Sequence, residues 1–198
     1  MLETKIRPMI QMALVDPVAK IIGKHLHPNS ITVASLLIGI FAAICIALDW
    51  KITAVILILL SGYLDILDGT VARLTHVSSD FGTMLDILSD RTVEVAIIIA
   101  FAIRSPDLSL ICLFMMAATV LCVSSFLVVG IFSKNTTEKS FYYNPGLIER
   151  AEAFIFFILM VLLPNLEFSI AIIYIVLVTW TALFRLYEFH KNIGRNKL

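Results

Sequence analysis

Long apolar runs alternate with short polar breaks along most of this chain. Segments of about 20 mostly apolar residues, the length needed to cross the ~30 Å hydrocarbon core, run approximately from 30 to 48, 52 to 74, 82 to 103, 108 to 132, 147 to 163 and 167 to 187. The breaks have turn chemistry: Pro28-Asn29 precedes the first segment, Thr75 to Asp80 joins the second to the third, Ser105-Pro106-Asp107 follows the third, and Pro164-Asn165 separates the last two. Ahead of them, Ile6, Met9, Ile10, Ala13, Leu14, Val18, Ile21 and Ile22 recur every three or four positions among Lys5, Arg7, Lys20 and Lys24. That spacing predicts an amphipathic helix over 3–26, lying on a membrane surface. Asp16-Pro17 has the form of an N-cap with a first-turn proline, which would divide it into two pieces. The expected fold is an all-α integral membrane protein: one domain over 1–198, with a surface helix and a six-span bundle over 30–187.

Composition agrees with that pattern. Of 198 residues, 60% are apolar and 15% charged, and the mean hydropathy of +0.96 is far from that of soluble domains. The charged N-terminal residues Glu3, Lys5 and Arg7 do not have the form of a cleavable signal peptide. Cys45, Cys112 and Cys122 lie in apolar runs without metal-ligand spacing, and His25, His27, His76 and His190 also lack ligand spacing, so neither set is expected to do chemistry. Phe141-Tyr142-Tyr143 reads as an interfacial aromatic belt.

Net charge is zero, so the distribution of charge is more informative than its total. Of the 15 lysines and arginines, only Lys51 and Arg104 fall at the ends of segments opposite the termini. This asymmetry places both termini and the loops at 75–80 and 133–146 in the cytoplasm. No nucleic-acid partner is expected.

Against this apolar background Asp65, Asp68, Asp86 and Asp90 fall within 26 residues. A charged side chain near the bilayer centre costs at least ~2.5 kcal/mol, and such residues are functional by default. Asp65 and Asp68 are three apart and Asp86 and Asp90 four apart, so each pair shares a helix face, and a short turn between the helices would bring the faces together. Carboxylates that close repel one another, and one or two divalent cations would neutralise them. Oxygen-only donors select a hard ion, Mg²⁺ or Mn²⁺. Gly69 and Gly82 clear space for a substrate, Ala72 keeps the same face small, and Arg73 can fork onto phosphate. A salt-bridge network is a poor alternative, because Arg73 and Arg91 cannot balance four acids. A cation or proton pathway does not call for the Gly, Ala and Arg between them.

The full spacing, Asp65-x-x-Asp68-Gly69-x-x-Ala72-Arg73, eight residues, Gly82, three residues, Asp86, three residues, Asp90, resembles the signature of the CDP-alcohol phosphotransferase family at every fixed position. Pro28-Asn29-Ser30-Ile31-Thr32 is similar to the element leading into that family's first span. The resemblance implies Asp65, Asp68 and Asp86 as metal ligands, with Asp90 both a ligand of a second ion and the general base. It implies contacts to the CDP-linked substrate from Asn29, Ser30, Ile31, Thr32, Gly69, Ala72, Arg73, Ser79 and Gly82. The implied reaction is attack by a small polar alcohol on CDP-diacylglycerol, releasing CMP and forming a phospholipid, in a homodimer.

Residues 146–152, with Lys134 and Arg185, resemble the acceptor-phosphate region of prokaryotic phosphatidylinositol-phosphate synthases. This makes Lys134, Arg150 and Arg185 candidates for holding a phosphorylated acceptor, although Ala153 stands where those enzymes carry a further arginine. The same three cations could instead anchor span ends at the interface. Other readings also remain: diacylglycerol attacking a CDP-ethanolamine- or CDP-choline-type molecule, a membrane prenyltransferase, or a cation transporter.

Overall fold

The computed structural model describes residues 11–77, 79–132 and 150–195, which form helices joined by short connections. The chain forms two compact units, Met1–Pro106 and Asp107–Leu198. The first contains a π-helical turn, Gln11–Val15, followed by α1 (Asp16–Ile22), α2 (Pro28–Ala47), α3 (Lys51–Leu74) and α4 (Asp80–Arg104). The second contains α5 (Ser109–Phe132), α6 (Arg150–Leu162) and α7 (Glu167–Arg195), with a 3₁₀ turn at Pro164–Leu166 between the last two.

Local sequence accounts for the helix boundaries. His27 caps α2 by accepting the Asn29 N–H at 3.3 Å, and Pro28 occupies the first turn, where its missing N–H costs nothing. α3 stops at Leu74, after which His76 adopts φ 54°. Ser79 then caps α4, its hydroxyl accepting the Gly82 N–H at 3.0 Å.

α2 packs against both α3 and α4, and small residues allow the approach. Ser35 Oγ donates to the Ser61 carbonyl at 2.8 Å, and Ser61 Oγ returns a bond to the Ser35 carbonyl at 3.0 Å. A Cβ on Gly39 would lie 2.5 and 2.7 Å from the two Val93 methyls. Those methyls are fixed by a β-branched side chain and cannot swing aside. Gly39→Ala should therefore force α2 away from α4 and cost about 1–3 kcal/mol, measurable as a lowered melting temperature in detergent.

In the second unit α7 packs on α5 and α6. Thr119 and Tyr174 share a 2.8 Å hydrogen bond, and the rings of Phe156 and Phe157 lie 5.8 and 5.7 Å from that of Tyr174.

Among the described residues, four stretches are long and apolar enough to cross a membrane: Pro28–Ala47, Lys51–Leu74, Pro106–Phe132 and Pro164–Lys191. Outward-facing Ile52, Leu110 and Phe132 are all strongly exposed, a surface suited to lipid and not to water. The chain is an integral membrane protein, and the regular secondary structure of its described residues is all helix. α4 has 25 residues, length enough for a span, but Asp80, Asp86, Asp90, Arg91 and Glu94 charge its first four turns. The 13 residues of α6 cover only part of the expected fifth segment.

Residues 3–10 of the expected surface helix lie outside the described residues. The chain does divide at Asp16, where the π-helical turn meets α1, but Val15 occupies the cap position and Asp16 is the first helical residue. The Asp16 carboxylate instead accepts from Gln11 at 2.8 Å. Val15 and Ala19 are buried with Ile31, Leu67 and Val71, tying this segment to α2 and α3, while Leu14 and Ile21 face outward.

Candidate active site

The last turns of α3 carry Asp65 and Asp68, and the early turns of α4 carry Asp86 and Asp90. One carboxylate oxygen from each of Asp65, Asp68 and Asp86 can be chosen so that all lie within 4.8 Å of one another. Asp90, one turn beyond Asp86, is outside this group; its Oδ2 lies 3.9 Å from Arg91 Nη2. The fold thus brings together three of the four aspartates.

Asp68 is the most enclosed of the three, at 4% exposure. Thr32 donates its hydroxyl proton to Asp68 Oδ2 at 2.5 Å, with the Pro28 carbonyl a second, longer partner at 3.2 Å. The Thr32 side chain therefore orients a member of the acidic group, a role that spacing could not reveal across 36 residues. Ile31, expected beside the nucleotide, has its side chain in the core with Val15, Leu67 and Val71. The whole residue is buried, at 4% exposure. Ser30 is exposed at the start of α2.

Asn29 comes close to Gly82. A Cβ at Gly82 would lie 3.1 Å from Asn29 Oδ1 and 3.2 Å from Ser79 Oγ. The glycine thus lets the start of α4 approach the start of α2, joining the signature to the Pro28–Thr32 element more than fifty positions away. Ser79 is exposed and caps α4. Ala72 is half-buried and Arg73 exposed, with Arg73 Nη2 donating to Thr70 Oγ1 at 3.0 Å. A Cβ at Gly69 would lie 3.5 Å from Arg73 Nη1, so the guanidinium lies back over the turn that carries Asp68.

Arg91 pairs with buried Glu94 at 2.6 Å. Its other nitrogen stays 3.9 Å from Asp90, so one of the two arginines of the salt-bridge alternative divides its charge between a signature aspartate and a partner outside the signature.

The acceptor candidates belong to the second unit. Arg185 is 6% exposed; its Nη1 donates to the Cys122 carbonyl at 3.1 Å and to Ser125 Oγ at 3.2 Å, and the guanidinium lies 5.3 Å from the Phe126 ring centroid. It is docked on α5. Arg150 opens α6 with its guanidinium 5.0 Å from the Phe154 ring centroid. Lys134 lies outside the described residues, and Ala153 is buried.

Residues 25–184 match the family described as CDP-alcohol phosphatidyltransferase. The chain is 30% identical over 172 residues to the inner membrane protein YnjF of Escherichia coli, covering 83% of each. It is 29% identical over 151 residues to phosphatidylinositol phosphate synthase of Corynebacterium glutamicum, covering 72% of this chain and 66% of the relative. An archaetidylinositol phosphate synthase of Pyrococcus horikoshii is 32% identical over 100 residues, 50% of this chain and 53% of that one. In fold, the chain is similar to the Mycobacterium tuberculosis phosphatidylinositol phosphate synthase solved with CDP-DAG bound, at a TM-score of 0.71 and 19% identity, over 89% of this chain and 93% of that one.

The chain belongs to the CDP-alcohol phosphatidyltransferase family. Membership carries the enzyme class that the signature implied, a transferase working between a CDP-linked molecule and an alcohol.

Proposed function

We propose that this protein transfers the phosphatidyl group of CDP-diacylglycerol to a phosphorylated polyol, releasing CMP. The observation that carries this reading is the convergence of Asp65, Asp68 and Asp86 from two helices to within 4.8 Å, at the positions the family signature requires. The donor set fits a hard divalent ion: it is all oxygen, it comes from rigid helices, and its crowded negative charge calls for a cation. Asp65, Asp68 and Asp86 would hold Mg²⁺ or Mn²⁺, with Asp90 contributing to a second ion. When bound, such ions supply charge neutralisation at the phosphate oxygens.

The chain's own residues do the rest. Arg73, at the end of α3, binds the diphosphate, while Gly69, Ala72 and Gly82 leave room for it beside backbone. Asn29, Ser30 and Ser79 hold the nucleotide, and Thr32 keeps Asp68 oriented. Asp90 accepts the proton of the attacking hydroxyl. The acceptor oxygen forms a new bond to the lipid-linked phosphorus, and the bond from that phosphorus to the CMP oxygen breaks. Lys134, Arg150 and Arg185 bind the phosphate of the acceptor. Two relatives named as phosphatidylinositol phosphate and archaetidylinositol phosphate synthases support this acceptor class, and the alanine at 153 leaves the particular polyol to experiment.

In this reading the chain is one catalytic domain with six spans, in which α4 and the segment around α6 also cross the bilayer. The N-terminal segment lies at the membrane surface. The Lys and Arg asymmetry puts both termini and the aspartates on the cytoplasmic side, where a lipid donor enters sideways from the bilayer and a polar acceptor arrives from solution. The protein works as a homodimer.

Incubating purified protein with CDP-diacylglycerol, Mg²⁺ and separate acceptors (inositol phosphate, glycerol phosphate, inositol, serine) and identifying the lipid formed tests the acceptor class. Product from a phosphorylated polyol is expected; product from serine or unphosphorylated inositol alone would refute it. Thr32→Val should raise the Mg²⁺ concentration for half-maximal CMP release about tenfold or more, the scale of losing an outer-shell partner of a metal ligand. A metal titration of activity measures this directly.

A further inference from the structure

We propose that Gln11 and Thr70 are positioning residues for Arg73, holding its guanidinium ready for the diphosphate of the CDP-linked substrate. The inference rests on the reading of Arg73 given above. Thr70 is buried on the turn of α3 between Asp68 and Arg73, and its hydroxyl makes three contacts. It donates to the Ile66 carbonyl at 2.8 Å, and it accepts from Gln11 Nε2 at 2.8 Å and from Arg73 Nη2 at 3.0 Å. A hydroxyl offers one proton and two lone pairs, so these contacts use its whole capacity and fix where each partner stands.

Gln11 is committed in the same way. Its amide nitrogen also donates to Asp16 Oδ1 at 2.8 Å. A carboxylate only accepts, so the amide atom facing Asp16 is the nitrogen and both of its protons are used. The resulting chain, Asp16–Gln11–Thr70–Arg73, crosses 59 residues of sequence between Gln11 and Thr70 and ties the N-terminal π-helical turn to the signature arginine.

The chemistry gives this a purpose. Arg73 is exposed, and a long, rotamer-rich side chain must be ordered each time it binds ligand. Fixing one edge of the guanidinium beforehand removes part of that cost. Arg73 Nη1 lies over the Gly69 turn, so the pre-set orientation keeps the group beside the acidic cluster. Neither Gln11 nor Thr70 is a fixed position of the signature.

The test uses the full chain, with CDP-diacylglycerol titrated at saturating Mg²⁺ and the acceptor that gives turnover. Thr70→Val and Gln11→Met keep shape and remove the hydrogen bonds. Each should raise KM for CDP-diacylglycerol about three- to tenfold, on the scale of one intramolecular hydrogen bond, with kcat within about twofold of wild type. Thr70→Ser should restore KM. In an Arg73→Ala background, Thr70→Val should add no further change, because the partner it positions is gone. An unchanged KM in both variants, or an equal increment in the Arg73→Ala background, would overturn the inference. If Thr70→Val does not fold, Gln11→Met decides the matter by the same KM measurement. A wild-type protein that releases no CMP would instead overturn the underlying reading and the inference with it, so the two failures are distinguishable.

Discussion

Asp68→Asn is expected to lower CMP release about a thousandfold or more, while the protein folds as well as wild type when no metal is present. The loss follows from removing a central carboxylate from a group that would neutralise several kcal/mol of developing charge through its ion. The retained fold follows from the surroundings. Asp68 is buried with Thr32 as partner, an asparagine carbonyl can still accept that hydroxyl, and one negative charge fewer within a 4.8 Å group relieves repulsion. Two measurements check this: CMP release under saturating substrate, and the melting temperature in detergent with and without Mg²⁺ or Mn²⁺. Wild type should gain thermal stability on adding metal and the variant should gain much less. Undiminished turnover, or an equal metal-dependent gain, would remove Asp68 from the ligand set.

Asp90→Asn separates proton transfer from assembly of the site. Asp90 stands one turn from Asp86, outside the three-carboxylate group, so its loss should leave that group intact. A positioned general base contributes about 10²–10⁴-fold, and CMP release should fall by that amount. Metal-dependent stabilisation and CMP binding, followed by calorimetry, should persist. Full turnover in this variant would assign the proton to another acceptor. A complete loss of metal response would make Asp90 chiefly a ligand.

The aspartate site could be read from spacing because helices convert intervals of three and four into a shared face, and a short link from Leu74 to Asp80 limits how far the two faces can separate. Features that depend on chain crossing could not be read in this way. Nothing local in Thr32 points to Asp68, nothing in Gly39 points to Val93, and nothing in Gln11 points to Thr70; each contact follows from how α2 and the N-terminal turn dock on α3 and α4. The Pro28–Thr32 element illustrates the division. Its place beside the signature was expected, but within it Ile31 serves the core and Thr32 serves Asp68. Glu94 was available at helical spacing from Arg91, yet it lies in an otherwise apolar run where a buried partner is easily overlooked. Similarly, Arg185 reads in sequence as an acceptor-phosphate cation or a span-end anchor, and nothing local shows that its guanidinium donates to α5.

Metal-dependent release of CMP from CDP-diacylglycerol by the purified protein, measured with a mixed pool of polar acceptors before and after chelation by EDTA, tests the central claim most directly. The account predicts CMP release that chelation abolishes, that excess Mg²⁺ or Mn²⁺ restores, and that Asp68→Asn lacks under every condition. Release that persists in EDTA, or no release from CDP-diacylglycerol with any acceptor and metal, would contradict it.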